Sequence, residues 1–76
     1  MSQHLPSVRP KEVIRALCRA GFFVHHISGS HYFLKHPAKL ELRVTVPYHN
    51  KDLKRRTLAS IVDQADLTVE EFLEIF

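Results

Sequence analysis

Residues 40–46 read Leu-Glu-Leu-Arg-Val-Thr-Val, and this stretch decides which kind of fold the chain can form. Its apolar and polar side chains alternate strictly, which is the period of two expected of a strand with one buried face. The buried set would be Leu40, Leu42, Val44 and Val46. Pro47 follows and has no N–H to donate to a ladder, so we expect the strand to end there.

Two more strands are predicted immediately upstream. Residues 22–27 are rich in aromatic and β-branched side chains, and a second short run covers residues 31–35. Residues 28–30 and 36–39, which separate the runs, have the composition of turns. Turns this short connect antiparallel neighbours, so the three strands should form a meander.

Helices are predicted on both sides of the strands. The first should cover residues 10–20 and end at Gly21, and its apolar stripe would be Val13, Ile14, Leu17 and Cys18. A second helix should cover residues 52–65, and a short third helix should begin at a capping box that starts with Thr68. Two long helices on the apolar sheet face give a two-layer α+β fold of helix, three-stranded antiparallel sheet and helix, with a short C-terminal helix.

Length and composition limit the class of protein. The 76 residues suffice for a single domain, residues 1–76, and Cys18 is the one cysteine, so no internal disulfide can form. No apolar run approaches the roughly 20 residues of a membrane helix. Residues 1–10 lack the apolar segment of a secretory signal. We therefore expect a cytoplasmic protein with no membrane partner.

Charge is distributed unevenly along the chain. Residues 1–56 hold all eleven Lys and Arg and three acids, a net charge of +8, whereas residues 57–76 hold five acids and no Lys or Arg. Such a basic region attracts an anionic partner, although surface charges also segregate without any function. Phosphates bind such groups through charge and counterion release, so we assign RNA contacts to Lys35, Lys39, Arg43, Lys51, Lys54 and Arg55.

Histidine is unusually frequent, at six of 76 residues. The spacing of these histidines matches no zinc motif, so we predict no metal and no cofactor, and proton transfer near neutral pH is the better use of an imidazole. His31 shares a strand face with Lys35, which marks that face as the wetter one. Gly29 and Ser30 precede it in a turn of small residues, where an RNA backbone can approach closely. The alternative is that the His31 ring only makes local hydrogen bonds.

Three classes of function fit these residues. The chain could be an enzyme that cuts RNA, a module that binds RNA without cutting it, or an adaptor whose basic face meets an acidic protein. Only the enzyme requires His31. Salt-dependent RNA binding would separate the first two classes from the third.

Several short motifs resemble the HicA (YcfA-like) toxins of prokaryotic toxin–antitoxin systems, over nearly the whole chain from about residue 11 to residue 76. They are Lys11-Glu12-Val13-Ile14, Ala20-Gly21-Phe22, Gly29-Ser30-His31, His36-Pro37, Val44-Thr45-Val46-Pro47 and Val69-Glu70-Glu71-Phe72-Leu73. Each motif alone is weak, but their order and spacing together are specific. The chain departs from the family at Arg56 and Asp66, where glycine is common.

The resemblance implies a fold similar to the double-stranded RNA-binding domain and the activity of an mRNA interferase, which cuts mRNA without metal. It assigns catalysis to the histidine of the Gly-Ser-His motif, here His31, and implies a HicB-like antitoxin that binds and blocks the toxin. His31 would transfer one proton as the RNA 2′-hydroxyl attacks the phosphate. The candidates for stabilising the developing charge are Lys35, Lys39 and Arg43, and those for a second proton transfer are His26 and His49.

Overall fold

The computed structural model describes residues 5–76, so His4 and the residues before it lie outside the described part. The elements follow in the order α1 (Pro10–Arg19), β1 (Phe23–Ser28), β2 (His31–His36), β3 (Lys39–Pro47), α2 (Arg55–Gln64) and α3 (Val69–Ile75). The strands form one antiparallel sheet in the order β1-β2-β3. The predicted α+β fold is confirmed. None of the helices in residues 5–76 has the length and apolar character needed to cross a membrane.

One face of the sheet carries the core. Both α1 and α2 pack on β3, and α3 packs on α1 and α2. The buried side chains come from every element except β1 and include Val13, Ala16, Leu17, Leu34, Val44, Val46, Leu58, Ile61, Val62 and Phe72. Leu34 and Val44 are cross-strand partners on this face. Their neighbours Phe33, Lys35 and Arg43 therefore point to the opposite face, which the helices leave open.

Both long helices end in the same hydrogen-bonded motif. Gly21 follows α1 with a φ of 100°, and the Phe22 N–H donates to the Leu17 carbonyl at 3.0 Å. Asp66 follows α2 with a φ of 59°, and the Leu67 N–H donates to the Val62 carbonyl at 3.1 Å. This is the Schellman arrangement, which needs a left-handed residue just after the helix.

Three details of the predicted elements are wrong. Cys18 is exposed, and Ala16 takes its place in the buried stripe of α1. Leu40 is 67% exposed, because it lies beside the β2–β3 turn, where β3 extends past the end that the helices cover. The second helix begins at Arg55 instead of residue 52, since the Leu53 N–H donates to the Val8 carbonyl at 2.8 Å in an extended link.

Candidate functional site

His31 occupies the first position of β2, opposite Pro47 at the end of β3. Its side chain is exposed, as its place on the face opposite buried Leu34 predicts. Gly29 and Ser30 make the two-residue turn before it, and Gly29 has the positive φ, 58°, that such a hairpin loop requires. A Cβ added at Gly29 would meet no atom within 4 Å, so the space beside the turn is open.

A cleft of about 390 Å³ lies beside His31 and separates the end of the sheet from α2. Its lining joins the His31 side of the sheet to one face of the helix: His31, Thr45, Pro47, Arg56, Thr57, Ser60, Ile61 and Gln64. An imidazole, a guanidinium and three hydroxyls thus border one space that is wide enough for part of a nucleotide. We call it the His31 cleft.

A short hydrogen-bonded chain fixes the helical wall of the His31 cleft. The Thr45 N–H points away from β2, and it donates to Oε1 of Gln64 at 2.9 Å. Nε2 of the same amide donates to Oγ of Ser60 at 3.2 Å. The outer edge of β3 is thereby tied to α2, which also protects that edge from pairing with another strand.

The N-terminal end of α2 adds positive charge at the mouth of the His31 cleft. Lys54 is the N-cap residue and provides no side-chain hydrogen bond to the helix, and the first turn contains no acidic residue. The partial positive charge of the helix end is therefore not offset locally. Arg55 and Arg56 follow directly, so three cationic side chains and a helix dipole combine to attract an anion.

Two of the other histidines are engaged in local structure. His36 Nδ1 accepts from the Ala38 N–H at 3.1 Å, and its Nε2 lies 3.2 Å from the Ala20 carbonyl. One tautomer, with the proton on Nε2, satisfies both contacts. His49 Nδ1 accepts from the Lys51 N–H at 3.2 Å. Within residues 5–76, the His31 ring makes no such bond to the backbone. The local hydrogen bonds that a purely structural role of His31 would require are therefore not seen among these residues.

Five of the six basic side chains predicted to contact RNA fall into two groups. Lys35 and Arg43 border a second cleft of about 260 Å³ on the open sheet face, together with His25, His26 and Phe33. Lys51, Lys54 and Arg55 are exposed at and before the start of α2. Four residues of extended strand separate Lys35 from His31, roughly 13 Å. Lys35 and Arg43 therefore line a separate part of the open sheet face and do not lie at the His31 ring.

Lys39 belongs to neither group. It lies at the far end of the β2–β3 hairpin, opposite His36, and its Nζ is 3.7 Å from a carboxylate oxygen of Asp66. Two more basic side chains have intramolecular partners: Arg9 pairs with Asp52 at 3.9 Å, and Arg19 donates to the Ile75 carbonyl at 2.9 Å. Three basic side chains of the +8 segment thus already have partners within the protein.

Sequence reasoning missed the helical wall of the His31 cleft. Thr57, Ser60 and Gln64 follow one another at intervals of three and four, so they share one face of α2. This polar stripe was a readable signal, but it indicated a solvated surface as readily as a site. The sequence indicated Arg56 only as a departure from the family pattern. Among the described residues, no group of three His, Cys, Asp or Glu side chains could hold a metal ion.

The fold and the His31 cleft define a small α+β protein with an exposed histidine between basic surfaces. A family model described as the HicA toxin of bacterial toxin-antitoxin systems matches residues 10–67, which is more than half of the 76 residues. The chain therefore belongs to the HicA toxin family. It is a toxin of a toxin–antitoxin system, and this implies an antitoxin partner. Comparison with curated proteins gave no match.

The two departures from the family pattern have different structural consequences. Asp66 occupies the left-handed position after α2, where glycine is the least strained residue and aspartate is among the better-tolerated alternatives. Arg56 lies in the first turn of α2 with no positive φ, so nothing in its backbone calls for glycine. Its effect is instead to place a guanidinium at the His31 cleft.

Proposed function

We propose that this toxin is a metal-independent endoribonuclease that cuts mRNA in the cytoplasm and is neutralised by a HicB-like antitoxin. The observation that carries the proposal is the exposed His31 in a cleft with Arg56, Thr57 and Ser60. A module that only binds RNA does not need an accessible imidazole at this point. Membership of the HicA family supports the same function.

RNA carries its own nucleophile, which explains why so small a site would suffice. His31 accepts the proton of a 2′-hydroxyl, and the oxygen attacks the adjacent phosphorus. The bond to the 5′-oxygen then breaks, and that oxygen takes up a proton from water or a second group. The products are a 2′,3′-cyclic phosphate and a 5′-hydroxyl. One positioned proton transfer contributes about 10²–10⁴ in rate.

Negative charge grows on the phosphate oxygens during this reaction, and the His31 cleft offers groups to stabilise it. Arg56 supplies a fixed positive charge, and the hydroxyls of Thr57 and Ser60 can donate hydrogen bonds. These groups replace Lys35, Lys39 and Arg43 in the proposed mechanism, since those side chains lie farther along the sheet. For the second proton transfer, His26 and His49 stay candidates.

The antitoxin is proposed to cover the His31 cleft with an acidic surface. Free cationic side chains at the start of α2 and on the open sheet face suit such a partner. Steric cover of His31 would block RNA directly, and the charge complementarity would speed association.

Cleavage by the purified toxin is the direct test of the proposed function. We expect a single-stranded RNA to be cut to products ending in 2′,3′-cyclic phosphate, with an unchanged rate in excess EDTA, because RNA supplies the nucleophile. Product ends are identified by mass spectrometry. RNA that is bound but never cut would favour the plain binding module, and cutting that EDTA stops and one divalent ion restores would require a metal site.

Arg56 and Arg55 form a matched pair for testing the charge-stabilising role. They are adjacent and exposed at the start of α2, but Arg56 lines the His31 cleft and Arg55 does not. Arg56→Gln should lower kcat by about 10- to 100-fold, at or below the usual effect of removing one preorganised donor, because the site is open to water. Arg55→Gln should mainly raise KM. Equal effects of the two substitutions on kcat would contradict the charge-stabilising role of Arg56. Both arginines would then only attract RNA to the protein.

A further inference from the structure

Three neighbouring rings lie on the open face of the sheet. His26 is the cross-strand partner of Phe33, and their ring centroids are 5.8 Å apart at an interplanar angle of 32°. The His31 ring lies two residues before Phe33 along β2, and the centroids of these two rings are 6.4 Å apart at an angle of 38°. Phe33 is half-buried, whereas both histidines are exposed. Phe33 therefore neighbours both His31, which lines the His31 cleft, and His26, which lines the cleft on the open sheet face.

The faces of these rings are not used up by stacking on each other. The interplanar angles of 32° and 38° make both pairs tilted, so neither histidine ring lies flat on Phe33. Tyr32 and Tyr48 provide the contrast, because their rings are stacked at 4.6 Å with an angle of 20° and both are half-buried. Of the aromatic residues near His31, Phe33 is thus the one placed to accept a further flat ring.

Positive charge borders the same surface. Lys35 and Arg43 line the 260 Å³ cleft with Phe33, and the described part of the chain offers neither of them an acidic partner within 4.0 Å. A ligand with a flat ring and flanking phosphates matches this combination. Stacking of bases on aromatic side chains next to cations is the general means by which proteins hold single-stranded nucleic acid.

We infer that the open-face cleft is a nucleotide subsite, which holds an unpaired RNA base on Phe33 and its flanking phosphates on Lys35 and Arg43. The inference rests on the proposed function, which supplies RNA as the ligand. It adds that the substrate is single-stranded RNA. A base within a duplex is stacked on its neighbours and cannot lie on Phe33. The toxin would therefore act on single-stranded segments, although its fold resembles a domain that binds double-stranded RNA.

Binding to an RNA that cannot be cut tests the subsite separately from catalysis. The probe is a short, fluorescent, single-stranded 2′-O-methyl RNA of random sequence, which lacks the nucleophile, and its duplex form is measured in parallel. Phe33→Leu keeps apolar bulk but removes the aromatic ring. We expect its affinity for the single strand to fall roughly 10- to 100-fold, with duplex affinity unchanged, and Phe33→Tyr to bind like the original protein.

The phosphate contacts are tested by the salt dependence of the same binding. Lys35→Gln combined with Arg43→Gln should reduce the slope of log affinity against log salt by roughly 0.7 for each phosphate that the variant no longer neutralises. Lys11→Gln combined with Arg15→Gln removes the same charge from the exposed side of α1 and should leave the slope nearly unchanged. Phe76→Leu, at a ring that is 41% exposed on the helical side, is the control for Phe33.

The outcomes separate this inference from the proposed function. Unchanged single-strand affinity in Phe33→Leu, with the melting temperature preserved, would overturn the subsite, even if the toxin cuts RNA. Tighter binding to the duplex than to the single strand would also overturn it. If Phe33→Leu weakens single-strand binding but the original protein never cuts RNA, the subsite stands and the nuclease proposal fails. If Phe33→Leu is partly unfolded, its comparison with Phe33→Tyr at equal folded fraction decides.

Discussion

His31→Ala is expected to abolish RNA cleavage and toxicity while leaving the fold and antitoxin binding intact. The side chain is exposed at the start of β2, so its removal creates no cavity in the core. The loss of one positioned proton transfer costs about 10²–10⁴ in rate, which would place cleavage near the limit of detection. Melting temperature, affinity for uncleavable RNA and cleavage rate should be measured on one sample of the variant.

His36→Ala is the matched control, because it removes an imidazole from the other end of the same strand. That ring contacts the Ala20 carbonyl, accepts from the Ala38 N–H and lies edge-on to Phe22 at 5.0 Å. A net contribution of about 1 kcal/mol for each hydrogen bond predicts a clear loss of stability. Cleavage by His36→Ala should fall only in proportion to its unfolded fraction.

The pair of variants discriminates a catalytic histidine from a structural one. Full cleavage activity in His31→Ala would remove the basis of the nuclease proposal and favour an RNA-binding module. A large fall in melting temperature for His31→Ala would instead mean that the ring supports the fold. The expected pattern is the reverse of that in His36→Ala, namely lost chemistry with retained stability.

The elements that could be predicted from the sequence are those whose pattern depends on local physics. Residues 40–46 alternate because one face of β3 is buried, and Gly21 ends α1 because a left-handed residue is needed there. The Thr68 hydroxyl accepts from the Glu71 N–H at 3.0 Å, as the capping box predicts. The prediction that Leu40 is buried was wrong, because alternation shows which face of a strand is apolar but not how far the helices that cover this face extend.

The candidate site was predictable only in part, for a similar reason. His31 could be singled out because its strand face and the preceding turn are local features. Its surroundings depend on how α2 packs against the outer edge of β3, through the contact of Gln64 with the Thr45 N–H. No spacing along the chain encodes that contact. Charged residues grouped by sequence, such as Lys39 with Lys35, were consequently separated by the fold.

Phe72→Ala is expected to cause the largest loss of stability in the protein. Phe72 is the largest of the fully buried side chains, at 0% exposure, and it anchors α3 against α1 and α2. Truncating a buried phenylalanine costs about 3–5 kcal/mol, through lost transfer free energy and the cavity left behind. A chain of this length has a total stability of roughly 4–11 kcal/mol, so the variant should be close to unfolding at 37 °C.

Thermal unfolding measures the effect, and Phe76→Ala serves as its control. The Phe76 ring stacks on Phe72 at 5.8 Å but is 41% exposed, so its loss should matter far less. For Phe72→Ala we expect the melting temperature to fall by about 12 °C or more. Phe72 lies beyond the family match, which ends at residue 67. A fall of only a few degrees would mean that residues 10–67 are stable without α3, whereas the expected fall makes α3 part of the folding unit that presents His31.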